Sequence, residues 1–344
     1  MDDVRGKRIF VGLSGGVDSA VTAALLKEQG ALITGVFIKG WYPPGMPCTW
    51  ANDRRDAMRV AARLHIPFVT LDAADEYKRG VIDYLLAEYA AGRTPNPDIM
   101  CNREVKFGAF ARFAFKKGAD FIATGHYARS SRGKLLRGVD SEKDQSYFLW
   151  AVPKEVLAKT LFPLGALHKS ETRALAQKFN LPNAAKKDSQ GICFLGSISV
   201  DDFLIQELGA SEGMALSTTG VEVGTHRGAV LHTLGERVSL SGSAPGPWYV
   251  VRKDLEKNVL VVSHERETEE HGALTLSQAN FFTTPEPHAV LTAQFRYHGP
   301  SITGSFKDGH ASFVPNEQLP EPVASGQSLV IYDEDLCIGG GIIG

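Results

Sequence analysis

The 344-residue chain predicts an α/β protein with an N-terminal doubly wound, mostly parallel sheet, then a small β-rich central domain and a C-terminal β-barrel. Three observations carry this. The first two hundred or so residues alternate short apolar runs with helix-period segments, the pattern of a parallel sheet covered by helices on both faces. After about residue 208 the helical period stops, and short strand-like runs separated by Gly and Pro replace it. The length fits roughly two or three domains, placed by the pattern at 1–208, 209–271 and 272–344.

In order, Arg8 to Leu13 reads as a buried strand and Asp18 to Glu28 as a helix. Ala31 to Ile38 is a second strand. Asp53 to Leu64 is a helix with Ala57, Val60, Ala61 and Leu64 on one face. Pro67 to Leu71 is a strand, Asp75 to Tyr89 a helix, Cys101 to Phe115 a helix and Asp120 to Thr124 a strand. The later strand-like runs are Ala229–Thr233, Trp248–Arg252, Val259–Ser263, Ala289–Arg296, His310–Val314 and Ser328–Tyr332. The acidic run 265–270 reads as a solvated linker or hairpin tip. Ligands of such sheets sit beyond the carboxyl ends of the strands.

Composition narrows the function. With 43% apolar and 22% charged residues the chain is neither disordered nor collagen-like. No apolar stretch approaches the ~20 residues of a membrane span. The N-terminus has no secretory pattern, so a cytoplasmic protein without membrane contact is expected. Cys48, Cys101, Cys193 and Cys337 show no C-x-x-C spacing, which argues against a structural metal site, and they are expected to start as thiols. Net charge is −2, but it is unevenly spread. Residues 101–200 carry 17 Lys and Arg against 8 Asp and Glu, or +9, whereas residues 201–344 carry −11. A basic segment can attract a polyanion even in a balanced chain.

Three segments carry chemistry. Ser14-Gly15-Gly16-Val17-Asp18-Ser19 follows a strand and opens a helix. Glycines let backbone N–H groups approach an anion, and the helix N-terminus adds free donors. No Gly-Lys-Ser/Thr follows, so this is not a Walker A loop, and no loop lysine reaches a phosphate. Asp18 repels phosphate unless it faces Mg²⁺ or caps the helix. The second segment is Thr94-Pro95-Asn96-Pro97-Asp98-Ile99-Met100-Cys101-Asn102. Here Asp98 is expected to cap the next helix and put Cys101 in its first turn, where the helix N-terminus, Arg103 and Lys106 favour the thiolate. In the third, Lys186-Lys187-Asp188-Ser189-Gln190-Gly191-Ile192-Cys193-Phe194, Cys193 lies in or beside a cationic loop. Either cysteine alone is more often an inert core residue. Together the segments suggest oxygen-to-sulfur exchange: a carbonyl oxygen is made a leaving group, a persulfide delivers sulfur, and a second thiol cuts the S–S bond.

The loop resembles the S-G-G-x-D-S motif of N-type ATP pyrophosphatases, which implies cleavage of ATP between its α- and β-phosphates. Over nearly its whole length the chain resembles bacterial tRNA-specific 2-thiouridylases. The resemblance rests on G-L-S-G-G-V-D-S (12–19), T-P-N-P-D-I-M-C-N (94–102), A-T-G-H-Y-A-R (123–129), K-D-Q-S-Y-F-L (143–149), K-K-D-S-Q-G-I-C-F (186–194), P-W-Y-V-V (247–251) and C-I-G-G-G (337–341). It implies ATP- and Mg²⁺-dependent 2-thiolation of the wobble uridine in tRNAs for Glu, Gln and Lys. Sulfur would arrive from a cysteine desulfurase or a relay protein. Cys193 is implied as persulfide carrier, Cys101 as nucleophile and eventual disulfide partner, and Asp98 as acid/base. Gly12, Leu13, Ser14, Gly15, Gly16, Val17, Asp18, Ser19, Ile38 and Gly125 are implied around ATP. Asn96, Pro97 and Asp98 would surround the target base, and His126, Lys143, Asp144, Gln145, Arg296, Tyr297 and Gln327 would contact tRNA. The family's T-I-G-Q-R-K-G-L-like central stretch here reads Thr233-Leu234-Gly235-Glu236-Arg237-Val238-Ser239-Leu240, which implies less RNA contact there. The alternatives are a ligase of the same superfamily that aminates a small carboxylate or carbonyl, and a non-enzymatic RNA-binding β-barrel protein.

Overall fold

Each early apolar run becomes a strand of one sheet. They are β1 (Arg8–Gly12), β2 (Leu32–Lys39), β3 (Phe68–Asp72) and β4 (Phe121–Ala123). Next come β5 (Ala128–Ser131) and β6 (Lys134–Arg137), which form a hairpin, and β7 (Thr160–Leu161). The sheet order is β3-β2-β1-β4-β7, and every pairing in it is parallel. The computed structural model describes residues 3–43, 50–131, 133–188, 199–242, 245–266, 272–286, 289–307 and 312–344.

Helix α1 (Val17–Glu28) buries Val17, Ala20, Val21, Ala23, Ala24 and Leu26; its run of small residues suits a helix covered on most sides. Helix α2 (Trp50–Arg63) buries only Ala57, Val60 and Ala61, the stripe its period predicts. The two longer helical stretches are not regular α. The first, α3, runs through Ala74–Tyr77, a π segment Lys78–Ile82, and Asp83–Ala90. The second, α4, runs through Pro97–Met100, a π segment Cys101–Ala109, and Phe110–Lys116. Helices α5 (Lys169–Lys178) and α6 (Val200–Leu208) follow.

The β-rich part forms two units. Strands β8 (Gly213–Ser217), β9 (Glu222–His226), β10 (Arg237–Val238), β11 (Trp248–Asp254) and β12 (Val259–Ser263) make a sheet in the order β10-β11-β12-β8-β9, with only the β12–β8 pairing parallel. Strands β13 (Leu274–Phe281), β14 (Leu291–Gln294), β15 (Ile302–Lys307), β16 (Ser312–Pro315), β17 (Ser328–Asp333) and β18 (Leu336–Ile343) close a six-stranded barrel through the β13–β18 pairing. Closure removes the exposed edges an open sheet would have. One strand expectation fails: Ala229–Leu231 is a short 3₁₀ turn, not a strand. Gly228, at φ 145°, redirects the backbone before the apolar residues can extend. Of the 265–270 run, Glu265 and Arg266 are described, and Arg266 sits 3.5 Å from Glu321; the rest lies outside the described residues.

The first domain and the barrel share structure. The β5–β6 hairpin joins the barrel sheet through Leu136 opposite Leu336 and Leu135 opposite Cys337. One buried core runs from Val105, Phe107 and Phe110 of α4 through Trp150 to Val330, Tyr332 and Cys337 of the barrel. The Arg137 guanidinium lies 3.5 Å above the Tyr332 ring, and the Tyr332 hydroxyl is 3.1 Å from Ser146 Oγ. Tyr332→Phe should keep the ring contact, lose the hydrogen bond and cost about 1–2 kcal/mol in urea unfolding. Unchanged stability would show that this buried bond contributes nothing net.

Candidate active site

The strand order reverses between β1 and β4, because the chain builds outward from β1 to β2 and β3 before crossing to β4. Such a switch point opens a crevice at the carboxyl ends. Two loops meet there, 13–16 after β1 and 124–126 after β4. Gly15 takes φ +81°, and a Cβ at this position would lie 2.4 Å from the Asp53 carbonyl oxygen, so the turn needs glycine. Asn183 donates to the Gly15 carbonyl oxygen at 3.0 Å. The N-cap of α1 is Gly16, and no side chain caps this end, which leaves first-turn N–H groups for an anion. Gly125 packs so tightly on the loop that its Cβ would meet Asp18 and Ser19 backbone at 2.8 Å.

These loops wall a cavity of about 290 Å³. Of the ten residues expected around a nucleotide, Gly12, Leu13, Ser14, Asp18, Ser19, Ile38 and Gly125 line it. Gly15, Gly16 and Val17 form the turn and helix start. Cys101 and Lys106 of α4 line the same cavity, as do His126 and Gln145. The fold therefore brings the first and second chemical segments together. Cys101 is 6% exposed and makes no disulfide among the described residues. Cys193 and Cys48 lie outside the described residues, as does the third segment beyond Asp188.

Several local expectations are corrected. Asn96, not Asp98, caps α4, accepting from the N–H groups of Asp98 (3.1 Å) and Ile99 (3.2 Å). Pro97 takes the first helical position, which suits its fixed φ and absent N–H, so the residue before it becomes the cap. Cys101 then falls one step beyond the first turn, at the start of the π segment. Of the two cations expected beside it, only Lys106 lines the cavity. Arg103 turns away to Glu104 (2.7 Å) and Gln278 (3.0 Å).

Asp98 is exposed by area, yet dense surroundings desolvate its carboxyl and push it above the usual range, with Lys106 pulling the other way. Its folded-state pKa exceeds the unfolded one, so its stabilising contribution is complete below the unfolded value and lost as pH rises through the folded one. Asp98→Asn should abolish that loss, and melting temperatures of the two proteins should diverge only above about pH 4. Parallel melting curves across that window would refute the assignment. His126 is buried, 2.7 Å from Thr124 Oγ1 and packed against Phe107 and Phe162. Burial, with Lys106 nearby, holds its pKa well below the ordinary value, so the ring is neutral.

The residues expected on tRNA divide into groups. Asn96, Arg296, Tyr297 and Gln327 meet at a second, smaller hollow of about 130 Å³ between the 94–96 segment and the barrel. There the Tyr297 ring packs on Phe148 at 4.4 Å. Arg296 is engaged internally by Glu321 (3.3 Å) and the Leu234 and Pro322 carbonyls. The Gln327 side chain accepts from the Ala324 N–H at 3.2 Å. His126 and Gln145 belong to the first cavity instead. Asp144 is 7% exposed and accepts from Gly138 N–H and from Ser146 N–H and Oγ, at 2.8, 3.1 and 2.9 Å. Those bonds hold it in the protein rather than on an RNA surface. Lys143 is half-buried and acts electrostatically on Asp188.

The basic middle is also less free than its sequence count. Lys186 pairs with Asp53 and Asp56, Lys169 with Asp18, and Arg129 with Asp335. Acids from distant parts of the chain neutralise these three cations. In the central domain, Glu236 accepts from the Thr233 N–H at 2.8 Å, so its charge closes its own turn. Sequence reasoning missed Lys169 and Tyr127, which both hold Asp18: the Lys169 ammonium at 2.7 and 2.9 Å and the Tyr127 hydroxyl at 3.0 Å.

A parallel sheet with an S-G-G-x-D-S loop at its switch point defines an α/β enzyme of the ATP-pyrophosphatase type. Comparison with known proteins narrows this. The model described as tRNA methyl transferase HUP domain matches residues 7–197. A tRNA methyl transferase PRC-barrel domain matches 201–264, and an aminomethyltransferase beta-barrel domain 271–343. The tRNA-specific 2-thiouridylase MnmA of Streptococcus agalactiae serotype III (strain NEM316) is 43% identical, covering 100% of this chain and 96% of that protein. Its counterpart in Pseudomonas fluorescens (strain SBW25) is 44% identical, covering 99% and 96%. A solved 4-thiouridine synthetase–RNA complex with bound ATP is more distant, at 21% identity and a TM-score of 0.38 over 54% of this chain and 44% of that chain. The chain belongs to the tRNA-specific 2-thiouridylase family and is, with it, a sulfurtransferase. The non-enzymatic alternative is thereby set aside. No helix among the described residues is long and apolar enough to cross a membrane.

Proposed function

We propose that this chain uses ATP to adenylate O2 of the wobble uridine in tRNAs for Glu, Gln and Lys, and then replaces that oxygen with sulfur. One observation carries the reading: the S-G-G-V-D-S loop and the Cys101 thiol line one cavity. Methyl transfer needs no pyrophosphate loop; sulfur transfer through an adenylated oxygen uses both that loop and a thiol.

The uridine oxygen attacks the α-phosphorus and pyrophosphate leaves. The N–H groups of the loop and of α1 hold the polyphosphate, and the neutral His126 ring keeps added charge out of the cavity floor. Asp18, which lines the cavity, would hold the Mg²⁺ that accompanies ATP, and that cation would offset polyphosphate charge there. Asp98, held largely protonated to higher pH than a free carboxyl, serves as acid/base. The terminal sulfur of a Cys193 persulfide attacks C2 and AMP leaves. The Cys101 thiolate then takes Cys193 Sγ, giving a Cys101–Cys193 disulfide and the thiocarbonyl, and an external thiol reduces the enzyme. Asn96 and Pro97 border the base, and the Tyr297 hollow receives neighbouring nucleotides.

The sulfur donor in this reading is a cysteine desulfurase or relay protein, and the compartment is the cytoplasm. We place the first domain boundary after 208, because Phe203 of α6 is buried in the same core as α4, and the second after 271, between β12 and β13. Mass spectrometry of tRNA nucleosides after incubation with ATP and a persulfide donor tests the function. Formation of 2-thiouridine only with ATP present is expected; unmodified uridine, or an aminated or methylated base, would reject it.

A further inference from the structure

The loop has no lysine of its own, yet the fold delivers one. Lys169 is the first residue of α5, 151 positions from Asp18. A cation there opposes the helix dipole, which favours anions in the first turn, so helix stability does not account for it. Its side chain is 16% exposed. The ammonium touches both Asp18 oxygens, at 2.7 and 2.9 Å, and Asp188 at 2.9 Å, and lies 5.6 Å from the centre of the Tyr127 ring. Arg173 pairs with Asp188 from the other side. Asp18 lines the cavity; Lys169 stands behind it.

We propose that Lys169 is a positioning residue for the pyrophosphate loop: it holds the Asp18 carboxylate at the cavity wall, screens its charge from incoming polyphosphate, and yields it in part to the divalent cation that accompanies ATP. This rests on the ATP-dependent reading above. Two like charges a few ångströms apart in a partly dry cavity repel by an amount comparable to a useful binding energy. Without Lys169, a bare Asp18 would oppose ATP until a divalent cation covers it. The sequence rules out a lysine following the loop in the Walker manner, and the structure supplies the compensating charge from the far side of the acid. Tyr127 contributes a neutral hydrogen bond to the same carboxylate but cannot cancel its charge.

The test is equilibrium dialysis of ATP with wild-type chain, Lys169→Met and Lys169→Arg, each across a Mg²⁺ series, with melting temperatures as the folding control. Lys169→Met should bind ATP about 10–100-fold more weakly at low Mg²⁺ and recover to within about threefold at saturating Mg²⁺. Lys169→Arg should follow wild type at both ends. In tRNA-dependent pyrophosphate exchange at low Mg²⁺, Lys169→Met should raise KM for ATP and leave kcat within about threefold. Equal affinity of Lys169→Met and wild type at low Mg²⁺ would overturn the proposal, as would a loss that saturating Mg²⁺ does not repair in a folded variant. If Lys169→Met unfolds, Lys169→Gln is read by the same criteria, and failure of both to fold would assign Lys169 to stability instead. Absence of ATP binding by the wild-type chain would instead reject the ATP-dependent function itself.

Discussion

Cys101→Ser should abolish 2-thiouridine formation, by at least about 10³-fold in rate, while tRNA-dependent pyrophosphate exchange stays within a fewfold of wild type. The serine hydroxyl fills the same space in α4 but cannot displace sulfur from sulfur at neutral pH. Adenylation draws on the loop and Asp18, which this change does not touch. Cys193→Ser should give the same split for a different reason, because no sulfur is loaded. Peptide mapping after one turnover without reductant should find Cys101 joined to Cys193 in the wild-type chain. A disulfide from Cys193 to Cys48 or Cys337 would reject the assignment, as would thiolation by either variant at the wild-type rate. Cys337 is a poor competitor: it is fully buried, and burial pushes its thiol up to about 12.

Gly15→Ala should lose ATP binding by about 100-fold or more, and pyrophosphate exchange with it. The added methyl meets a backbone oxygen, which cannot rotate away as a side chain can. The left-handed conformation adds about 1–2 kcal/mol for a residue with a Cβ. Relief requires the loop to move from α2, and that movement removes the N–H groups from their common focus. At Gly16 the same methyl would meet only the Ser14 hydroxyl at 3.3 Å, which can turn, so Gly16→Ala should lose less than Gly15→Ala. Equal ATP affinity of Gly15→Ala and wild type by equilibrium dialysis would mean that the loop geometry does not set binding.

Much of this site was readable because it is local. The glycines, the strand before them and the helix after them lie within a dozen residues, and their physics needs no distant partner. The cap of α4 was equally local but misassigned: Asn96 and Asp98 are both good cap residues, and the proline between them decides which one serves. The charge count failed for the opposite reason. Whether Lys186 is free for RNA depends on Asp53 and Asp56, more than a hundred residues earlier. Lys169 was unreadable in the same way, apart from its unfavourable sign at a helix start. The β5–β6 hairpin is too short to be identified by period, and only its partner β18 makes it part of a sheet.

That hairpin has a consequence for how the molecule is made. Arg129, which donates to Asp335 at the barrel, emerges 206 positions before its partner. At synthesis rates of roughly 5–20 residues per second, the hairpin spends about 10–40 s with its edge unpaired and the Trp150 side of the core uncovered. A chaperone that shields edges and apolar surface has its window there. A ribosome stalled anywhere in the central domain leaves a nascent chain whose pyrophosphate loop is complete but whose hairpin still lacks the strand that completes its sheet.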